Sequence, residues 1–108
     1  MIDLKILDKD WQVFLHSEDS FVERFGDHDA ALTLPQEFEV HFCTEHLNLN
    51  TVRHELFHCY MSCLCVGSAQ LEAHQLEEIA AELFAEHGDK ILKMAKALHK
   101  ELKDEEEL

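Results

Sequence analysis

Residues 51–58 read Thr-Val-Arg-His-Glu-Leu-Phe-His. They sit inside a longer run, Leu49 to Leu64, in which Val52, Leu56, Cys59 and Cys63 recur at helical spacing. His54 and His58 are four residues apart, so on a helix they project from one face. The segment is therefore predicted to be a helix with an imidazole-bearing face and an apolar back, broadened by Phe57, Tyr60 and Leu64. Such a helix is not stable alone, and the rest of the chain must supply a surface for that back.

An imidazole pair at this spacing grips one Zn²⁺. Glu55, one step around the helix, is placed to hold a water that the metal polarises. Composition tempers the pattern. With 9 His and 15 Glu in 108 residues, a shuffled chain contains His-Glu-x-x-His roughly one time in ten. Context must carry the rest, above all a third ligand, because catalytic zinc uses three protein ligands and keeps one position for water. Downstream, Gln75 to Ala85 reads as a return helix with Leu76, Ile79, Ala80, Leu83 and Phe84 as its apolar stripe. Glu78 lies twenty residues past His58, room for one reversing loop. Glu82 is one turn further on the same face, where a carboxylate can accept the second ring N–H of a ligand histidine.

His54-Glu55-x-x-His58 followed by Glu78-x-x-Ala81-x-x-Phe84-Ala85 resembles the minimal zincin metallopeptidases of the ImmA/IrrE type and their short phage-encoded relatives. The resemblance covers about residues 30–92. It implies that His54, His58 and Glu78 are zinc ligands, with Glu55 as general base. The chain differs from that pattern at Glu82, where Asn or Asp is common, and in the two cysteines of the segment from Ser62 to His74.

One hundred and eight residues make one domain with a single core. The expected fold class is α+β: a small antiparallel or mixed sheet packed against the motif helix and one or two C-terminal helices, with residues 1–103 as the domain and 104–108 as a frayed acidic tail. No run of 18 apolar residues exists, and Met1 to Lys5 lacks the features of a signal peptide, so a cytoplasmic protein with no membrane partner is expected. The net charge of −14 repels phosphates and disfavours direct nucleic-acid binding. It favours a basic partner, and it also suits an acidic inhibitor that mimics DNA. Cys43, Cys59, Cys63 and Cys65 should stay reduced in that compartment and serve as small core residues.

Along the chain, Ile2 to Leu7 alternates as a strand or a helix start. Trp11 to Leu15 is a second strand, with helix from Asp8 as the alternative. Ser17 caps a short helix that Gly26 ends. Asp27 to Asp29 is a turn. Ala30 to Leu34 is an apolar run that Pro35 confines to an edge. Glu37 to Cys43 is the clearest strand, with Phe38, Val40 and Phe42 on one face and Glu39, His41 and Cys43 on the other. Asn48 or Asn50 caps the motif helix. Gly67-Ser68 marks a turn, Gly88 stops the return helix, and Asp89 starts a last helix from Lys90 to Leu102.

The chemistry expected of such a site is peptide-bond hydrolysis of a protein or peptide substrate, the more readily if basic. Strand Glu37–Cys43, if it lay at a sheet edge above the metal, would take the substrate as an added strand. Candidates for a second oxyanion donor are Tyr60, His74 and His87. The remaining histidines, His16, His28, His41, His46 and His99, are expected at the surface or its boundary. The alternative reading is an acidic protein-binding or inhibitor module, with the metal structural or absent.

Overall fold

A computed structural model of the chain describes residues 1–26, 30–64 and 72–107. Cys65 and the turns expected at Asp27–Asp29 and Gly67-Ser68 lie outside the described residues. The fold is α+β. Strands β1 (Ile2–Ile6), β2 (Lys9–His16), β3 (Ala31–Leu34) and β4 (Glu39–Cys43) form one mixed sheet in the order β1-β2-β4-β3. β1 and β2 are an antiparallel hairpin, β2 and β4 run parallel, and β3 returns antiparallel to β4. Helix α1 (Glu18–Phe25) lies between β2 and β3, α2 (Leu49–Cys63) follows β4, and α3 (Ala73–Glu106) closes the chain.

Both strand readings near the N-terminus resolve in favour of strands. Alternation decides this: Trp11 and Val13 are fully buried on one face, while Gln12 is exposed on the other. The core forms where Ile6, Trp11, Val13, Val40 and Phe42 of the sheet meet Val52, Leu56 and Cys59 of α2 and Leu83, Ile91, Ala95, Leu98 and Leu102 of α3. Burying Leu56 contributes about 1.5–3 kcal/mol. Phe57 contributes less than a buried phenylalanine would, because it stays 37% exposed.

The opposite sheet face is closed as well, which makes β4 an interior strand with buried residues on both sides. Phe14, Phe21 and Phe25 cluster there around two histidines. His41, expected at the boundary, is fully buried. Its ring stacks on Phe14 at 4.8 Å. Its two nitrogens are both partnered, one with His16 Nε2 at 2.8 Å and the other with Glu39 Oε1 at 2.9 Å. Two neighbours with polar atoms in reach are what let an imidazole sit at that depth.

The local signals at helix starts act as expected. Ser17 Oγ accepts from the Ser20 N–H at 3.3 Å, and Asn48 Oδ1 accepts from the Thr51 N–H at 2.9 Å. Gly26 ends α1 at φ 94°, a conformation that L side chains disfavour. Gly88 does not behave as expected. The two C-terminal helices read from the sequence are one helix of 34 residues that runs through it. Glycine inside a helix costs about 1 kcal/mol. The buried line Leu83, Ile91, Ala95, Leu98 and Leu102 continues across it on one side of the helix and outweighs that cost. The acidic tail is also not frayed at once: α3 continues to Glu106, and the Met1 ammonium lies 3.4 Å from Glu105 Oε1.

Two predictions follow from this packing. The atoms nearest a Cβ on Gly88 belong to the Phe84 ring, the closest at 3.4 Å, an ordinary contact, and that ring is largely exposed. Gly88→Ala is therefore expected to stabilise the protein by about 0.5–1 kcal/mol in denaturant unfolding. Destabilisation would mean that the helix stops at residue 88. The second concerns pH. Burial, then the neighbouring His41 and Arg24, hold His16 below its ordinary value of 6.5. The folded state thus keeps His16 neutral where the unfolded chain takes up a proton. This contribution is complete above that pH and is lost as pH falls below it. Thermal midpoints should drop between neutral pH and mildly acidic pH, and His16→Gln should drop less over the same interval.

Candidate metal centre

Three of the sequence-predicted residues come together. His54 Nε2 and His58 Nε2 lie 3.1 Å apart, with ring centroids at 4.8 Å and planes at 75°. Glu55 Oε2 is 3.9 Å from His54 Nε2. One ligand atom from each of the three falls within 4.8 Å of the others, close enough to hold one metal ion. Among the described residues no other group of three or more His, Cys, Asp or Glu does so.

The donor set can be tested against zinc geometry. Two nitrogens at 2.0–2.1 Å from a tetrahedral ion are about 3.3–3.4 Å apart. The observed 3.1 Å lies within a few tenths of an ångström of that spacing. Both rings also face solvent, with the His54 side chain 67% exposed. In the chain as it stands, one neutral ring can donate its N–H to the lone pair of the other.

Glu55 is different: its carboxylate is buried, at 6% exposure. Thr33 Oγ1 donates to Glu55 Oε1 at 2.7 Å. That bond joins α2 to β3 and leaves Oε2 on the imidazole side. Thr33 was not foreseen. Its signal was present, since it is the lone hydroxyl in the apolar run Ala30 to Leu34, but no spacing tied it to a residue 22 positions away. Beneath Glu55, burial and the nearby Glu55 and Cys63 push the Cys59 thiol far above its usual range. It remains a protonated core residue. Cys63 Sγ donates to the Ile6 carbonyl at 3.7 Å.

A cleft of about 300 Å³ opens between the imidazole face of α2 and β3, lined by Ala31, Leu32, Thr33 and Pro35 on one side and His54, Glu55, His58 and Ser62 on the other. β3 is one of the two edge strands of the sheet. The strand expected to play that part, read as Glu37–Cys43, lies between β2 and β3 and has no free edge. The correction follows from the parallel β2–β4 pair, which puts β4 inside the sheet.

Glu78 is not brought to the imidazole pair. At about 100° per residue, Tyr60 lies about 160° around α2 from His58 and about 120° from His54. That back face is where α3 packs. Tyr60 and His87 have ring centroids at 5.6 Å. Glu78 and Glu82 line a separate, mostly apolar cavity with Leu64, Ile79, Leu83 and His87. Among the described residues, Glu78 is outside the group that His54, Glu55 and His58 form. Glu82 is likewise absent from their surroundings. Tyr60 is buried against α3, and His74 is exposed beside Glu72 at the start of α3, 3.4 Å from its carboxylate. Neither lines the cleft.

No family model, curated protein or solved structure matches the chain. Among the described residues, no helix is long and apolar enough to cross a membrane.

The geometry separates the ligand candidates by experiment. His54→Ala and His58→Ala should each abolish stoichiometric zinc retention in metal analysis after gel filtration. Glu78→Ala should leave zinc content unchanged. Loss of zinc in Glu78→Ala would return that carboxylate to the ligand set.

Proposed function

We propose that the chain is a zinc-dependent peptidase in which His54 and His58 bind the metal and Glu55 is the general base. One observation carries the reading: a preformed imidazole pair stands beside a buried carboxylate, and both face a cleft walled by an edge strand. His54 and His58 would hold the ion, with Glu55 Oε2 beside it as the base. A zinc ion bound there supplies an acidified water and a Lewis acid for a carbonyl oxygen.

The chain's own residues account for the rest. Thr33 occupies Oε1 of Glu55, so Oε2 is the oxygen available to take a proton from the attacking water. It would then hand that proton to the leaving amine. Burial holds the carboxylate in one place and removes competing solvent. The outward backbone groups of β3 suit an extended peptide, which would add as a further strand along the cleft. Pro35, just beyond β3, limits that pairing at one end. The net charge of −14 favours basic, unfolded segments as substrates.

Glu55→Gln tests the reading. The variant should keep one zinc per chain and lose cleavage of a basic, unstructured peptide by about 10²–10⁴-fold, the usual weight of a general base. Equal cleavage by wild type and variant would remove Glu55 from the reaction. If the wild type binds its partner without cleaving it, and Glu55→Gln binds equally well, the chain is the acidic binding module instead.

A further inference from the structure

The α2–α3 back face carries a patch that the metal centre does not use. Phe84 is 75% exposed, the most exposed large apolar side chain among the described residues, with Leu92 and Phe57 also open to solvent. Together with Arg53, Gly88 and Ile91 they line an apolar cavity of about 180 Å³. Apolar surface of this kind on a helix marks a place where something docks.

The charge pattern of α3 identifies the occupant. From Glu72 to Asp89 the segment carries six acidic residues and no Lys or Arg. From Lys90 to Lys103 it carries five lysines and one Glu. The apolar residues are symmetric about the junction, with Phe84 four positions before Gly88 and Leu92 four after. An antiparallel copy of the same helix, related by a two-fold axis at Gly88, would bring Phe84 against Leu92 twice. It would also lay each acidic half along a basic half, with Glu78 beside Lys96 of the other copy at the shoulder of the contact.

We propose that this face is the interface of a homodimer, formed by antiparallel packing of α3 on α3 of a second copy. A two-fold interface must be self-complementary, and a helix acidic in one half and basic in the other meets that demand only when its partner runs the opposite way. The exposed apolar stretch from Phe84 to Leu92 is about 12 Å long, about two turns of contact. The overall charge of −14 opposes association at long range. At 0.15 M salt that repulsion is screened beyond about 8 Å, while paired charges in contact are not.

Sedimentation of the full chain at 0.15 M salt tests this. The wild type should run at twice the chain mass. Phe84→Glu should raise the dimer dissociation constant about 30-fold or more, the loss a central aromatic anchor produces, with far-UV circular dichroism unchanged. Glu78→Lys and Lys96→Glu should each weaken the dimer, and the two together should restore it. A monomeric wild type would overturn the proposal and assign the patch to another occupant. A dimer insensitive to Phe84→Glu, or a charge swap without rescue, would overturn it too.

Discussion

A carboxylate set into the wall between a helix and a sheet needs a donor, and in this protein the donor is Thr33. The 2.7 Å bond to Glu55 is the contact on which the site's arrangement turns. Leaving a buried acceptor without a partner costs about 1–3 kcal/mol, more when it is charged. Satisfying it from β3 ties the edge strand to α2 at one point. The cleft, the orientation of Oε2 and the position of the imidazole pair all follow from that tie. A sheet edge with no link to the motif helix would leave Glu55 free to turn into solvent, and no fixed oxygen would face the histidines.

The sheet order makes that tie possible. A parallel β2–β4 pair requires the chain to travel between them, and α1 and β3 lie on that path. The return leaves β3 outside β4 and therefore beside α2. The same return covers the second sheet face with α1, which is why His41 is buried and needs both His16 and Glu39. One topological choice thus accounts for a polar cluster on one face and for the edge strand beside Glu55 and the imidazole pair.

Much of the local structure was legible because each signal was short-range. Ser17, Gly26 and Asn48 act within one turn of their own positions, and the alternation around Trp11 and Val13 reports directly on burial. His54, Glu55 and His58 were legible for the same reason, since a helix dictates where i and i+4 point. The readings that did not carry over depended on distance or on competition. Glu78 was chosen on a spacing of twenty residues, which says that a chain can return but not to which face of α2. Glu37–Cys43 was considered as the substrate edge because it directly precedes the motif helix. Which strands flank it depends on the sheet order, and its pairing with both β2 and β3 puts it inside the sheet. Thr33 could be found only once β3 was known to lie against α2.

Gly88 shows how a local stop signal loses. A glycine weakens a helix by about 1 kcal/mol relative to alanine. Ile91, Ala95, Leu98 and Leu102 each sit in the core beyond it, and the gain from burying even two of them exceeds that cost. The continuous helix then has a consequence for the whole molecule. In the continuous helix Leu83 and His87 of the N-terminal half also pack inward, and Glu78 lines the cavity beside them, apart from the two histidines. With α3 packed in this way, the carboxylate that stands next to the two histidines is Glu55 from their own helix, and not one from α3.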